Sequence, residues 1–465
     1  MKKTVIIYDD SRIPERMIRN ITGNKSFGDT IYKRRSLRER ARACANAQAA
    51  CCGFFDMNEK TDEDFCACAF LKLYSDMVIR DENAFSILVE KSLYAKECYQ
   101  VTAGDRIAAV IYPDGESFAL ADPADEAGYA AIVSDAFEDL SDADRFRRFI
   151  TGGFDSRFFN ELSGDDYTVV KHSANVEKLH REYTFYGLLP DEMKMWFAMP
   201  FSYREENGEA SYTMERYHMT DLAIRYVHGA IDAEEFSRIM DKLFRFLTTR
   251  PVKSVTQEEY ERCAQDLYVD KVRRRIADLK KHSAFARLNG LLRAGSRYES
   301  VDAVLEDYLE LYEKITQPKH FKPVAVIGHG DLCFSNILYS HETAFMKLID
   351  PKGAQTEEEL YTNPYYDLAK LSHSVCGGYD YFNSDLFEIA VDEELHLKLR
   401  IDCDNACYHA IFREYLARYD FDYRLIRLYE ASLFLSMLPL HMDREKKVLG
   451  FLLNAIDIME GIRNE

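Results

Sequence analysis

The sequence predicts an α+β protein, with a small α/β domain followed by a two-lobed unit, β-rich first and mostly helical after. Three observations predict it. Short apolar runs alternate with helical segments over the first 145 residues, as in layered α/β domains. A strand, helix, strand succession occupies residues 166–217. From Thr220 onward helical periodicity dominates, broken by one polar loop region. The length of 465 residues calls for two or three domains, and 47% hydrophobic content is ample for their cores.

In order, Thr4-Val5-Ile6-Ile7-Tyr8 reads as a short buried strand. Ser36 to Cys52, rich in Ala, Arg and Glu, reads as a helix. Phe54-Phe55 and Phe70-Leu71-Lys72-Leu73-Tyr74 are short apolar runs compatible with strands. Asp81 to Tyr94 carries Phe85, Leu88 and Leu93 near one helical face. Arg106 to Tyr112 is a strand closed by the turn Pro113-Asp114-Gly115. The acidic stretch Ala121 to Asp144 reads as a helical connector with a solvated face, and the domain boundary is placed there. The expected domains are 1–145, a β-rich lobe at 146–219 and a helical lobe at 220–465. Phe149-Ile150-Thr151 and Arg157-Phe158-Phe159 flank Gly152-Gly153, where the turn between the second unit's first two strands is expected. After the turn at Ser163-Gly164-Asp165, Asp166 to Lys171 reads as a strand, Val176 to Leu188 as a helix and Ala210 to Tyr217 as another strand.

A net charge of -19 opposes general binding to nucleic acid or anionic lipid, because a large negative field repels both. No run approaches the eighteen apolar residues of a membrane span. The apolar run after Met1-Lys2-Lys3 is too short for a signal-peptide core. The expected compartment is the cytosol, so the eleven cysteines are expected as reduced thiols. Cys44, Cys51, Cys52, Cys66 and Cys68 cluster early. They lack the paired Cys-x-x-Cys knuckles of structural zinc, and small buried residues are the favoured reading over a metal site.

The richest stretch is His329-Gly330-Asp331-Leu332-Cys333-Phe334-Ser335-Asn336, followed by Leu348-Ile349-Asp350. Phosphoryl transfer from ATP needs a carboxylate to orient or deprotonate the attacking hydroxyl. It also needs hard oxygen ligands, such as an amide and a second carboxylate, to hold magnesium on the phosphates. The order and spacing match a kinase catalytic loop and metal-binding aspartate. Gly330 stands where protein kinases have arginine. This His-Gly-Asp form resembles the aminoglycoside phosphotransferase and choline kinase family, small-molecule kinases with a protein-kinase-like fold, over about residues 149–465.

The resemblance implies roles. Asp331 would be the base or orienting carboxylate. Asn336 and Asp350 would hold Mg²⁺, and ATP would be the phosphoryl donor. His329 would tie the loop to backbone, and Asp367, in Asn363-Pro364-Tyr365-Tyr366-Asp367-Leu368-Ala369-Lys370, would brace it. Lys171 at a strand end would pair with Glu182, eleven residues later on the helix, to contact the α- and β-phosphates. Glu177 and Lys178 would fall on the wrong element or face. Gly153 and Ser156 are candidates for the phosphate-covering turn, whose backbone amides can contact phosphate. Glu215 and Tyr217 lie where backbone groups would pair with adenine. Asp350-Pro351-Lys352-Gly353 replaces Asp-Phe-Gly, which argues against a mobile phenylalanine switch.

The acceptor implied is a hydroxyl on a small molecule: an aminoglycoside, choline or another amino alcohol, or a sugar. Tyr379-Asp380-Tyr381-Phe382 and Asp402-Cys403-Asp404 lie where family members build substrate walls. In the first domain, Tyr32 to Arg40 followed by an alanine-rich helix, then Tyr74-Ser75-Asp76-Met77-Val78-Ile79, resembles a sugar nucleotidyltransferase, in which an aspartate at a strand end binds metal. The glycine-rich nucleotide loop of that family is missing, and Asp9-Asp10-Ser11-Arg12 stands in its place. Such a pairing resembles bacterial enzymes of surface-polysaccharide precursor metabolism. Two alternatives stay open: a pseudokinase-like nucleotide-binding scaffold, and a nucleotidyltransferase whose main activity lies in the first domain.

Overall fold

The structure, a computed structural model, describes residues 2–59, 65–152, 160–317 and 319–465, with the side chains of 160–162 left out. The chain divides into two compact units, Met1–Asp155 with His228–Ala230, and Ser156–Val227 with Ile231–Glu465.

The first unit is built on a six-stranded mixed sheet. Thr4–Asp9 runs parallel to Cys51–Asp56 on one side and to Ala69–Tyr74 on the other. Arg106–Tyr112 and Tyr99–Ala103 follow antiparallel, and Ala130–Val133 closes the edge parallel to Tyr99–Ala103. Thr4–Asp9 and Ala69–Tyr74 are buried throughout, as expected of central strands covered on both faces.

The helix expected from Ser36 to Cys52 covers only Leu37–Asn46. It starts at a capping box, in which Ser36 Oγ accepts the Glu39 N–H at 3.1 Å and the Glu39 carboxylate accepts the Ser36 N–H at 2.8 Å. Cys51-Cys52 instead opens a strand, because pairing with the buried central strand outweighs helix propensity there. The segment 121–144 is also not a helical connector. It forms a 3-10 turn at Pro123–Gly128, the edge strand Ala130–Val133, a short strand Phe137–Asp139 and the start of the helix Ala143–Gly152. Glu126 in this acidic stretch is buried, hydrogen-bonded by Lys72, Tyr74 and Tyr112. Phe149-Ile150-Thr151, expected to precede a strand turn, belongs to that last helix.

The second unit is α+β and two-lobed. Its smaller lobe is an antiparallel sheet in the order Asn160–Gly164, Thr168–Ser173, Glu209–Glu215, Pro200–Glu206. The first hairpin is tied by Asp165, whose carboxylate accepts the N–H groups of Tyr167 and Thr168 at 2.8 and 2.7 Å. Helix Val176–Leu188 packs on this sheet through Leu179, against Ala210 and Tyr212. Its first turn is capped by Asn175, which accepts the Lys178 N–H at 3.0 Å.

The larger lobe is mostly helical. One of its cores gathers Leu332, Phe334, Ile337, Leu348, Leu368 and Leu371, all buried. These residues surround the polar loop region, so the loop stands on close-packed side chains rather than on solvent. Among the described residues no helix is long and apolar enough to cross a membrane.

Candidate active site

Strand Val324–Ile327 delivers the chain to His329, and the stretch ends in a 3-10 turn, Phe334–Asn336, that runs into strand Ile337–Tyr339. Leu332 and Phe334 are fully buried. They pin the loop while its polar residues turn the other way. The Phe334 N–H donates to Ser374 Oγ at 3.0 Å. Gly330 has a φ of +80°, and a Cβ there would meet Lys352 Cβ at 2.5 Å. A left-handed backbone against a neighbouring chain explains glycine at this position.

The predicted loop residues are brought together. His329 is completely buried and stacks on Phe197. Its Nε2 donates to the Ile349 carbonyl at 2.9 Å, and its Nδ1 accepts the Asp331 N–H at 3.1 Å. Burial pushes its pKa down against the pull of the Asp367 and Asp331 carboxylates, so the imidazole is a neutral strut. Asn336 donates through Nδ2 to the Asp331 carbonyl at 2.8 Å and to Asp331 Oδ2 at 3.2 Å. That use of the amide nitrogen turns the amide oxygen, a hard ligand, away from Asp331. Asp367 is fully buried on helix Tyr366–Val375. It accepts the N–H groups of His329 at 2.9 Å and Gly330 at 2.8 Å.

Asp350 follows the strand Met346–Leu348, and the Ile349 N–H bonds the Asn336 carbonyl at 3.0 Å. Its φ is +55°. An aspartate held left-handed costs on the order of 1–3 kcal/mol, and such strain collects at functional sites. The chain then passes Lys352, whose N–H bonds the His329 carbonyl at 2.9 Å, to Gly353. Gly353 has a φ of +85°, and a Cβ there would lie 2.6 Å from the Arg181 carbonyl carbon and 2.7 Å from the Glu182 nitrogen. The Ala354 N–H bonds the Arg181 carbonyl at 3.0 Å, and Thr184 Oγ1 donates to the Ala354 carbonyl at 2.5 Å. The segment after Asp350 is thereby docked on the backbone that carries Glu182. Gly353→Ala is expected to lower stability by about 1–3 kcal/mol, since neither the φ nor the contact tolerates a side chain. Thermal unfolding of the variant checks this.

Lys171 sits on strand Thr168–Ser173 and is only 2% exposed. Its ammonium donates to Glu182 Oε2 at 2.6 Å and to Asp350 Oδ1 at 2.9 Å. The sheet's lysine, the helix's glutamate and the far lobe's aspartate therefore converge on one nitrogen. Burial acts to lower the Lys171 pKa, but Asp350, Tyr212 and Glu182 together hold it above its ordinary value, so the lysine stays charged. Burial would raise the Asp350 carboxyl, and the Lys171 ammonium more than reverses this, holding it below its ordinary value. Lys178 corrects the expectation that it faces elsewhere: it lies one helical turn before Glu182 and reaches Oε1 at 3.5 Å.

Glu215 and Tyr217 lie at and just beyond the end of strand Glu209–Glu215, joined by a Tyr217 hydroxyl bond to the Glu215 carboxylate at 2.8 Å. The Tyr217 carbonyl accepts the Met219 N–H at 2.7 Å and the Arg216 N–H goes to Tyr167. Among the described residues, neither is hydrogen-bonded to a candidate residue other than its partner in this pair. Gly153 and Ser156 lie outside the described residues. In the Tyr379–Asn383 segment, Tyr379, Asp380, Tyr381 and Phe382 form a buried helical turn.

Sequence reasoning missed Arg250. Its Nη1 donates to Asp367 Oδ2 at 2.6 Å, and it also binds the carbonyls of Leu247 at 3.0 Å and Pro364 at 2.9 Å. It missed Lys370 as well, whose Nζ lies 2.9 Å from Asp331 Oδ1. Neither carries a local signal, since both are single cations on helical or turn segments far from the loop in sequence.

In the first unit, Asp76 at the end of the buried central strand pair is 1% exposed, with one oxygen on Arg12 at 2.7 Å and the other on Arg106 at 2.7 Å. A carboxylate already held by two guanidinium groups is poorly set up to take a divalent cation. The early cysteines are free thiols. Among the described residues no group of three or more His, Cys, Asp or Glu is arranged to hold a metal ion.

No family model and no curated protein matches the chain. Solved structures similar to it include a thermostable mutant of aminoglycoside phosphotransferase APH(4)-Ia in its apo form, 9% identical over 65% of this chain and 94% of that one, with a TM-score of 0.37. A GDP complex of an aminoglycoside 2'-phosphotransferase-IIIa mutant is 13% identical over 67% of this chain and 90% of its own, with a TM-score of 0.40. A candidate fructosamine-3-kinase from Haemophilus somnus 129PT is 10% identical over 69% of this chain and 96% of its own, with a TM-score of 0.39.

Proposed function

We propose that the second unit is an ATP- and Mg²⁺-dependent phosphotransferase acting on a hydroxyl of a small molecule. One observation carries the reading. A buried lysine, anchored by Glu182, meets Asp350 at 2.9 Å, while Ile349, next to Asp350, is hydrogen-bonded to Asn336, whose amide touches Asp331. Lys171 would contact the nucleotide phosphates. Asp350 and the Asn336 amide oxygen would hold the magnesium ion. Two protein oxygens suit this ion, which usually keeps waters and substrate phosphates as its other ligands. When bound, the ion neutralises charge on the terminal phosphates. Asp331 would orient the acceptor hydroxyl and take its proton, with His329, Asp367 and Arg250 fixing the loop. Backbone groups near Glu215 and Tyr217 would meet the adenine, and Gly153 and Ser156 the phosphates.

The acceptor class is an aminoglycoside, choline or another amino alcohol, or a sugar. Surface-polysaccharide precursor metabolism is the setting implied by the sequence resemblance of the first domain to a sugar nucleotidyltransferase. An ATP-dependent reaction would suit the cytoplasm, and the net charge of -19 opposes nucleic acid as a partner.

The test is acceptor-dependent ADP formation with Mg-ATP across aminoglycosides, choline, amino alcohols and monosaccharides. Asp350→Ala is expected to lower kcat by roughly 10²–10³-fold, the usual cost of deleting one preorganised charge-stabilising group. Lys171→Ala should chiefly weaken productive ATP binding. Turnover untouched in both variants would refute the assignment.

A further inference from the structure

Granting the phosphotransfer reading of the site, we propose that Lys370 is the positioning residue for Asp331, fixing the orientation in which its carboxylate meets the acceptor hydroxyl. The observation is geometric. Lys370 Nζ lies 2.9 Å from Asp331 Oδ1, and Asn336 Nδ2 lies 3.2 Å from Asp331 Oδ2. The carboxylate is gripped on both edges, from two different elements, and its rotation about the Cβ–Cγ bond is blocked.

The grip is part of a larger arrangement. Asp367 and Lys370 stand three apart on helix Tyr366–Val375, so they share a face. Asp367 takes the N–H groups of His329 and Gly330, and Lys370 takes the side chain of Asp331. One helical turn thus holds three consecutive loop residues. The loop itself, His329 to Asn336, contains no lysine or arginine, and His329 is neutral. Lys370 is the cation that another element supplies.

The surroundings fit this role. Lys370 has a side chain 15% exposed, and Asp331 30% exposed, so the pair is largely buried while the carboxylate keeps some access to solvent. Asp331 and Cys333 face Lys370 from the loop, Tyr366 from its own helix and Tyr379 from the next. Burial would push the ammonium down, and the Asp331 carboxylate more than offsets that, so Lys370 stays charged. Tyr366 is engaged by Lys271 at 3.0 Å. The imidazole of His373, one turn on, is kept neutral by burial and by Lys370 itself. Asp331 is therefore the one full negative charge among these neighbours. The two lysines divide the work: Lys171 meets the aspartate proposed for the metal, and Lys370 the aspartate proposed for the hydroxyl.

Lys370→Met keeps length and removes charge, and Lys370→Arg keeps charge. Both are measured with Mg-ATP and the acceptor that gives the highest wild-type turnover in the panel above, alongside thermal unfolding. Lys370→Met is expected to lower kcat by about 10²-fold, the scale of a misplaced reacting group, with KM for ATP unchanged. Lys370→Arg should recover most of that loss. A Met variant with wild-type kcat, or an Arg variant as slow as the Met variant, overturns the assignment. So does a loss confined to melting temperature. If the wild type turns over and Asp350→Ala abolishes it while Lys370→Met does not slow it, the Lys370 role alone falls. If the wild type binds nucleotide but forms no ADP with any acceptor, the phosphotransfer reading and the Lys370 role fall together.

Discussion

Asp331→Asn is expected to lower kcat by about 10²–10⁴-fold, the range that positioned proton transfer contributes, while the protein stays folded. Asparagine keeps the shape of the side chain, and its single carbonyl oxygen can accept from Lys370 or from Asn336, now 2.9 and 3.2 Å from the two carboxylate oxygens, but not from both. What disappears is the charge and basicity aimed at the hydroxyl. KM for ATP should hold, because Lys171, Glu182 and Asp350 are tied to one another without Asp331. Steady-state kinetics at saturating ATP, with circular dichroism to check folding, tests the point. A variant with near-wild-type kcat would move the chemistry to another group.

The largest stability effect is expected at a residue that touches no reactant. Arg250→Met should destabilise the protein by about 3–5 kcal/mol, because it strands the buried charge of Asp367. Arg250 is 4% exposed and Asp367 is fully buried. The same carboxylate oxygen accepts from Arg250 at 2.6 Å and from the His329 N–H at 2.9 Å. Removing the guanidinium also frees the carbonyls of Leu247 and Pro364, which it satisfies now. Chemical denaturation of the variant measures the loss. A change under about 1 kcal/mol, the scale of an exposed pair, would mean that water reaches Asp367.

The candidate loop is legible in sequence because its polar residues are packed into a short, fixed spacing. Asp331 and Asn336 lie within one turn-and-strand unit, and the next strand leads to Asp350. Lys171 and Glu182 are legible in a weaker way, since a strand ending near the lysine and a helix through the glutamate follow from periodicity, and the helix Val176–Leu188 has the expected bounds. The supports are not legible. Arg250 and Lys370 act across the fold, and one cation among 60 lysines and arginines gives no sign of which carboxylate it will meet. Burial misleads in the same way at Glu126. An acidic run reads as a wet face, yet this glutamate is 2% exposed because Lys72, Tyr74 and Tyr112 arrive from distant strands to receive it. At Cys51-Cys52, an alanine-rich approach favours helix, and only the presence of a neighbouring strand decides otherwise.

The left-handed backbone at Asp350 has a consequence for how this protein trades robustness against use. Glycine would adopt that shape without penalty, and it could not carry a carboxylate. The chain carries a side chain there instead, and the backbone bonds of Ile349 to Asn336 and of Lys352 to His329 hold the bend on either side. Asp350→Gly would therefore relieve the backbone and remove the carboxylate in one step, which separates the cost of the bend from the use of the side chain.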